Sequence, residues 1–450
     1  MFYRTFKLLA KIVLRLFFRQ IDAEGLEHVP ATGPLLLVVN HTNALVDPLL
    51  PITLLHRRLT PTMKDTLGRN PLVAAVSWCT GAIAFHRAQD TGKSGEARAN
   101  VKALQRCREM LKAGGAICIF PEGISHSDLT MREFQAGAAH IAIDYVRKEQ
   151  NAGKLKVVPV GLLYTSKGAF RSGVWVRFGE AIDVEAWLAG HDREELTAYF
   201  RQRIEALTLS YRDRREMLAL NWANEVLSAD AHTPGWVYED HASPSEVFLR
   251  LARLREGYRQ LETNHSDEIG PIIERISAYR RELKSRGISP VEVNVSRNPL
   301  RVVYFLVREL ELMVLGAPIA LAGLVAFGGG YAIVRAIAQK LSVDKDHWAS
   351  NVIYPSLAIF PILLLVELGL VWWLLPAFWA VVCTIALPYS LYYTVLYFDH
   401  VGDAWRRAST FLYFLFRPGI QSSLKNEAGQ ILAEIDRLAT YLPQPAERRA

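Results

Sequence analysis

Apolar runs and amphipathic segments alternate over residues 22–230, as strands and helices do in α/β proteins. Runs of mainly apolar residues predict strands at 34–39, 82–85, 115–120, 156–164 and 173–178. Helical periodicity predicts helices over 94–113, 136–149 and 193–211. The alternation predicts an α/β domain, a central sheet flanked by helices, in which the ends of the strands carry the chemistry.

The pattern changes after residue 311. Residues 312–334 carry no charge over 23 positions, and residues 348–398 carry one charge, Glu367. A bilayer span needs about 20 apolar residues, so the first run is long enough for one span and the second for two. Tryptophan and tyrosine are frequent in the second run, as they are at membrane interfaces. We therefore predict a transmembrane helical region over 301–400, with a buried soluble bundle as the alternative.

Three further segments complete the predicted domain organisation. Residues 1–21 contain five cations and no acid, interleaved with apolar residues, which is typical of an amphipathic helix on an anionic membrane surface. The alternative is a helix that packs its apolar side on the α/β domain. Residues 231–300 are polar, helical and rich in proline, and they predict a helical connector. Residues 401–450 predict an amphipathic, soluble tail.

Composition narrows the functional classes only slightly. The formal net charge of +7 suits an anionic membrane surface or a phosphorylated substrate as well as nucleic acid. Because the chain has no nucleic-acid-binding motif, we expect no nucleic-acid partner. The four cysteines are scattered and form no C-x-x-C pair, which argues against a zinc site and a disulfide framework.

The candidate chemistry begins where the first predicted strand ends. His41 follows that strand closely, and Asp47 lies six residues later. A histidine beside a carboxylate can take a proton from a hydroxyl group, because the carboxylate fixes the ring tautomer and stabilises the imidazolium. Since no nucleophile motif accompanies the pair, the expected nucleophile is a hydroxyl of the substrate. The alternative for Asp47 is a helix N-cap, because Asp47-Pro48 is typical of the start of a helix over 48–56.

Three later motifs follow or interrupt other predicted strands. Arg87 offers the guanidinium fork that suits a phosphate, unless it is only a solvated charge at a strand end. The run from Phe120 to Gly123 combines a glycine, which allows close approach of a ligand, with Glu122, which can accept hydrogen bonds from hydroxyl groups. A turn with an exposed glutamate is the alternative. Pro159 interrupts an apolar strand and predicts a sheet edge or a bulge.

Together the motifs Asn-His…Asp, Gly-x-Ile-x-Phe-x-Arg, Phe-Pro-Glu-Gly and Val-Pro-Val-Gly resemble the four sequence blocks of the glycerolipid acyltransferases, over roughly residues 25–215. The resemblance implies that His41 is the general base and Asp47 its partner. It implies that the substrate-binding residues are Arg87, Phe120, Glu122, Gly123 and Pro159. The implied reaction moves an acyl chain from an acyl thioester, acyl-CoA or acyl carrier protein, to a hydroxyl of glycerol-3-phosphate or a related glycerol phosphate. It requires no metal or other cofactor.

One departure from the family pattern is informative. Five residues separate His41 from Asp47, where the family pattern has four, so the extra residue must be absorbed in a loop. This spacing resembles the branch that contains the fungal glycerol-3-phosphate and dihydroxyacetone-phosphate acyltransferases, which also carry additional C-terminal membrane segments. It favours the first acylation step, with lysophosphatidate acylation as the alternative. A metal-dependent phosphoesterase and an inactive membrane adaptor are further alternatives.

The apolar C-terminal region and the implied reaction also predict the location of the protein and its partners. We expect an integral membrane protein whose catalytic domain lies on the cytoplasmic face, where acyl thioesters are made. Its expected partners are membrane lipids, the thioester donor and the glycerol phosphate acceptor. Because every motif lies before residue 165, a chain ending near residue 300 is expected to keep some activity.

Overall fold

The computed structural model describes residues 2–86, 93–149, 153–188, 191–231, 242–295, 298–341 and 348–442. The strands are β1 Phe18–Glu24, β2 Leu35–Val39, β3 Thr60–Lys64, β4 Ile83–Phe85, β5 Ala116–Ile119, β6 Lys156–Tyr164, β7 Ser172–Phe178 and β8 Ile182–Asp183. The helices are α1 Phe2–Phe17, α2 Leu49–Leu54, α3 Pro71–Thr80, α4 Lys93–Lys112, α5 Gly137–Lys148, α6 Val184–Trp187, α7 Arg193–Glu205, α8 Arg214–Ala231, α9 Pro244–Asn264, α10 Ser266–Ser285, α11 Pro299–Leu341, α12 Trp348–Leu374, α13 Ala377–Phe416 and α14 Pro418–Ala439.

The strands of the described residues form one mixed sheet in the order β1-β7-β6-β2-β5-β3-β4, with β8 also paired to β6. The central strands β6, β2, β5 and β3 run parallel, whereas β7 and β8 run antiparallel to β6. The five predicted strands are all present. β1, β3 and β8 were not predicted, because their sequences carry polar residues or proline in place of apolar runs.

Helices cover both faces of this sheet, which is the predicted α/β architecture. Alternate side chains of β2 enter two different cores: Leu35, Leu37 and Val39 pack with residues of α1 and α2, and Leu36 and Val38 pack with residues of α4, α5 and α7. A strand buried on both faces has no polar side, so its sequence is a continuous apolar run.

The N-terminal segment differs from the prediction of one amphipathic helix over residues 1–21. α1 ends at Phe17, and the following residues form β1, which pairs with β7. The apolar side of α1 is buried in the core of the α/β fold through Phe6, Ala10, Leu14 and Phe17. This is the arrangement expected of a helix that packs on its own domain. The opposite side of α1 remains exposed and carries Arg4, Lys11 and Arg15.

Within the described chain, α11, α12 and α13 are long and apolar enough to cross a membrane, judged by length and composition. α11 continues through its three consecutive glycines, and a break at Pro376 separates α12 from α13. Large apolar side chains on these helices are exposed, such as Trp373 at 79% and Leu365 at 70%. Such exposed apolar surface is unusual for a soluble bundle and fits the predicted membrane region.

The described chain divides into two compact units, and each unit joins two separate stretches of sequence. The first combines Met1–Ser210 with Val325–Pro388, and the second combines Tyr211–Leu324 with Tyr389–Ala450. This division cuts across the linear domains predicted for residues 22–230, 231–300 and 301–400. The physical reason in the first unit is that the start of α12 enters the same core as α1 and α2, through Ala349, Ile353 and Tyr354. In the second unit, α8, α10 and α14 share a core of their own.

Candidate active site

The predicted site residues that the structure describes lie mainly at one edge of the sheet. β2 and β5 are parallel neighbours, and their carboxyl ends lead directly to His41 and to the Phe120–Gly123 turn. β6 is parallel to β2 on its other side and ends at Tyr164. Because parallel strands end at the same edge, side chains that are far apart in sequence meet there.

His41 and Asp47 form the predicted pair. His41 Nδ1 lies 2.9 Å from Asp47 Oδ2, and the Asp47 side chain is fully buried while His41 is 16% exposed. The same Oδ2 accepts hydrogen bonds from the backbone N–H groups of Thr42 at 2.7 Å and Asn43 at 2.8 Å. Oδ1 accepts one from the hydroxyl of Tyr164 at 2.6 Å. A buried carboxylate with this many donors is held in a fixed position.

The capping alternative for Asp47 is wrong. α2 begins at Leu49 rather than at residue 48, and Pro48 precedes it without a side-chain cap. The carboxylate of Asp47 turns back to His41 and the loop instead. The extra residue between His41 and Asp47 is accommodated as predicted, in an irregular loop where Ala44 has a φ of 36°. A positive φ is uncommon for a residue with a side chain, and it persists only where the surroundings hold it.

This geometry favours one tautomer of the imidazole. A carboxylate at Nδ1 favours the tautomer that carries the proton on Nδ1, which leaves the lone pair on Nε2 for a substrate. Burial raises the pKa of the Tyr164 hydroxyl well above its ordinary value, and the nearby charge of Asp47 raises it further. Tyr164 therefore stays protonated and acts as a donor to Asp47 at physiological pH.

Glu122 is engaged entirely within the protein. Its Oε1 accepts a hydrogen bond from the backbone N–H of His41 at 2.6 Å. Its Oε2 contacts Nε2 of His126 and accepts a hydrogen bond from the backbone N–H of Arg132 at 3.3 Å. The side chain of Glu122 is 0% exposed. This differs from the prediction that Glu122 faces substrate hydroxyls, and it indicates a carboxylate that holds the backbone at His41.

The other predicted site residues have distinct placements. Phe120 packs on His41 with ring centroids 4.4 Å apart, and Gly123 has a φ of 74°, which favours glycine. Both line the cavity described below. Pro159 lies inside central strand β6, opposite Val38, and is not among the described residues that line this cavity. Arg87 lies outside the described residues.

Pro159 was predicted to lie at a sheet edge or in a bulge. Instead, the strand that pairs with one side of β6 changes at this residue. On one side of β6, residues 156–157 pair with β8 and residues 160–164 pair with β7. Pro159 falls between these two ladders, where no backbone N–H is required. Its carbonyl accepts a hydrogen bond from the backbone N–H of Gly179 at 2.8 Å.

Several residues at the site were not predicted from the sequence. The side-chain amide of Asn40 pairs with both backbone groups of Leu162, at 2.7 and 3.1 Å, and so extends the β2–β6 pairing up to His41. The backbone N–H of His126 donates to the carbonyl of His41 at 3.2 Å, and Lys167 Nζ donates to the carbonyl of His126 at 3.1 Å. Tyr164 could have been found as the last residue of a predicted strand. No local signal identifies His126 or Lys167.

A cavity of about 750 Å³ opens beside His41. Its apolar side is formed by Ala44, Leu45, Leu49, Ile52, Val73 and Val76. Elsewhere Lys64, His86, Arg108 and His140 contribute polar and cationic groups. Ligand pockets are typically roughly 300–1,000 Å³ and combine apolar walls with a few polar groups. Across the described residues, no group of three or more histidine, cysteine or acidic side chains is placed to bind a metal.

Comparison with known proteins adds independent information. Residues 20–163 match the sequence model of the acyltransferase family. An uncharacterised acyltransferase of Schizosaccharomyces pombe is 24% identical over 76% of this chain and 62% of its own length. Glycerol-3-phosphate O-acyltransferase 1 of Saccharomyces cerevisiae is 24% identical over 52% of this chain and 31% of its own. A 1-acyl-sn-glycerol-3-phosphate acyltransferase of Borreliella burgdorferi is 30% identical over 43% of this chain and 74% of its own. The chain therefore spans less than two thirds of either fungal protein.

Proposed function

Because the chain belongs to the glycerolipid acyltransferase family, we propose that it transfers an acyl chain from an acyl thioester to a hydroxyl of a glycerol phosphate in phospholipid synthesis. The observation that carries the proposal is the His41–Asp47 pair, with Asp47 fully buried and His41 lining the cavity. A buried carboxylate on one ring nitrogen prepares the other nitrogen to act as a general base.

The proposed reaction proceeds by direct transfer. Nε2 of His41 takes the proton of the acceptor hydroxyl as the oxygen attacks the thioester carbonyl. The ester bond forms, the carbon–sulfur bond breaks, and the leaving thiolate takes a proton from the imidazolium. Asp47 stabilises the imidazolium between these two steps. The substrate supplies the nucleophile, so no acyl-enzyme is formed.

We propose that the phosphate of the acceptor binds near the carboxyl ends of β3 and β4. Lys64 ends β3, His86 follows β4, and both line the cavity. Arg87 is the next residue in sequence, and its guanidinium suits a phosphate. The five-residue spacing between His41 and Asp47 supports glycerol-3-phosphate or dihydroxyacetone phosphate as the acceptor. The name of the Borreliella relative supports the alternative, a 1-acylglycerol-3-phosphate.

One assay tests the proposal and separates its alternatives. Purified protein is offered glycerol-3-phosphate, dihydroxyacetone phosphate or lysophosphatidate, each with an acyl-CoA and in parallel with an acylated carrier protein. We expect the highest kcat/KM with one of the first two acceptors. A clear preference for lysophosphatidate assigns the second acylation step instead. If no acceptor gains a chain from either donor, the proposed function is wrong and the adaptor alternative gains support.

Chelation distinguishes the phosphoesterase alternative. We expect acyl transfer to be unchanged by a chelator, since the proposed steps use only His41, Asp47 and the substrates. Release of inorganic phosphate from the acceptor, lost on chelation, would favour a metal-dependent phosphoesterase.

We expect the variant Arg87→Lys to raise the KM for the acceptor several-fold and to leave the KM for the thioester nearly unchanged. The reason is that lysine keeps the positive charge but loses the bidentate fork that matches a phosphate. Steady-state kinetics with each substrate varied in turn measures both constants. The opposite pattern, a rise confined to the thioester KM, would assign Arg87 to the phosphates of the donor.

We propose an integral membrane protein with its catalytic domain on the cytoplasmic face. The full chain is expected to stay in the membrane pellet after alkaline carbonate washing, because spanning helices insert almost irreversibly. The control variant carries glutamine in place of the exposed Arg4, Lys11 and Arg15. It is expected to stay in the pellet like the parent, since cations at a membrane surface add only a weaker, salt-sensitive attachment. Release of the parent protein by carbonate would contradict the assignment of α11–α13 as spans.

A further inference from the structure

The first two turns of α12 contact the loop that joins His41 to Asp47. Ser350 Oγ accepts a hydrogen bond from the backbone N–H of Leu45 at 3.2 Å. The hydroxyl of Tyr354 donates to the carbonyl of Leu45, also at 3.2 Å. The two side chains are four residues apart, so they lie on the same face of the helix. Both backbone groups of Leu45 are thus bound by one face of α12.

These contacts matter because the loop is irregular. Leu45 follows Ala44, whose φ of 36° is unusual, and it lies between the general base and its carboxylate. Regular pairing within a helix or sheet cannot satisfy the backbone groups of such a loop, and a buried backbone group without a partner is costly. Ser350 is 3% exposed and Tyr354 is 6% exposed, so their bonds to Leu45 are formed away from water.

α12 also contributes to the wall of the cavity. Tyr354 lines the cavity beside Leu45, Leu49 and Ile52. Its neighbours Ala349 and Ile353 are fully buried in the same core as α1, α2 and one face of the sheet. The start of α12 is therefore an inner part of the α/β unit, although the helix lies about 300 residues after His41 in the sequence.

We infer that Ser350 and Tyr354 belong to the acyltransferase site: they are positioning residues for the His41–Asp47 loop, and Tyr354 is also part of the surface that receives the acyl chain. This inference rests on the proposed function. It predicts, in contrast to the expectation from the sequence, that a chain ending near residue 300 loses activity, because such a chain lacks both side chains. The inference also places the start of α12, a helix with the length and composition of a membrane span, at the wall of the cavity beside His41.

The positioning role is tested in the full chain with Ser350→Ala, Tyr354→Phe and the double variant. Each change removes one hydrogen bond to Leu45 and keeps the rest of the side chain. We expect kcat to fall about fivefold in each single variant and more than tenfold in the double variant, with both KM values within about twofold of the parent. Ser356→Ala with Tyr389→Phe is the matched control, because Ser356 bonds within its own helix and Tyr389 is 55% exposed.

The acyl-wall role has a separate readout, the preference for chain length. Tyr354→Leu removes the ring and enlarges the cavity, whereas Tyr354→Phe keeps the ring. We expect Tyr354→Leu to raise the ratio of kcat/KM for an 18-carbon over a 14-carbon acyl-CoA by about threefold or more, and Tyr354→Phe to leave that ratio unchanged. A loss of stability alone would lower activity with both donors equally and would not move the ratio.

A labelling experiment gives an answer that does not depend on turnover. An acyl-CoA with a diazirine near the end of its chain is bound to the parent protein, irradiated, and the protein is digested with chymotrypsin for mass spectrometry. We expect label on the peptide that contains Tyr354. Parent-like kcat in the double variant together with label confined to other peptides would overturn the inference while acyl transfer by the parent still supports the proposed function. No transfer by the parent would overturn the proposed function itself.

Discussion

Replacing His41 with alanine is expected to lower kcat by about 10²–10⁴-fold, the usual contribution of a general base. The imidazole is bound to Asp47 at 2.9 Å and lines the cavity, so the variant loses the group that is proposed to take the proton of the acceptor. Acyl transfer measured at saturating acceptor and donor reports the change. The fold is expected to be kept, because the His41 side chain is partly exposed and the backbone at His41 remains bound to Glu122.

Two further variants sharpen this test. Asp47→Asn is expected to cause a loss of similar size, since an amide can orient the ring but cannot stabilise its cation. His191→Ala is the matched control, because His191 is exposed, stacks on Trp187 and is not among the described residues that line the cavity. We expect its kcat to stay within about twofold of the parent. A kcat of His41→Ala within twofold of the parent would exclude the proposed mechanism.

The sequence was sufficient for the parts of the site that are local along the chain. His41 and Asp47 are six residues apart, and the central strands β2 and β5 are continuous apolar runs because they are buried on both faces. The resemblance to the glycerolipid acyltransferases then supplied an order of motifs that agrees with the family found by comparison. What could be predicted was the fold class and the proximity of His41 to Asp47.

The sequence was not sufficient to predict strands that mix apolar and polar residues, or contacts between residues that are far apart along the chain. β1 has the sequence FRQIDAE, which lacks an apolar run because only part of this edge strand is buried. The bond between Tyr164 and Asp47 joins residues 117 positions apart, and the bonds between Leu45 and α12 join residues more than 300 apart. Such contacts follow from the packing of the sheet and its helices, and no local periodicity encodes them.

α12 illustrates how a correct local prediction gives an incomplete domain organisation. Its apolar composition, with Glu367 as its one charged residue, correctly indicates a helix of membrane length, and composition alone places it in a separate membrane region. Its first two turns, however, carry small and aromatic residues that are buried in the core of the α/β unit. Hydropathy measures the average of a segment, whereas the role of α12 at the site depends on two hydroxyl groups within it.

The second large effect is expected for Glu122→Gln, a variant that separates a structural role from a role in substrate binding. The carboxylate accepts hydrogen bonds from the backbone N–H groups of His41 and Arg132, and it contacts Nε2 of His126. A glutamine keeps the shape but turns one oxygen into an NH₂ group that faces a donor. A buried donor left without an acceptor costs about 1–3 kcal/mol, which corresponds to a fall in kcat of about 5- to 150-fold if the cost falls on the position of His41.

The distribution of the effect between kinetic constants decides the role of Glu122. Because the side chain is fully buried, we expect the KM for the acceptor to stay within about twofold of the parent while kcat falls. Glu133→Gln is the matched control, since Glu133 is exposed and close in sequence, and parent-like kinetics are expected. A rise in the acceptor KM with unchanged kcat would instead show that Glu122 binds the substrate hydroxyls, as its motif first suggested. The structure favours the first outcome, because each oxygen of Glu122 is bound by the protein before a substrate arrives.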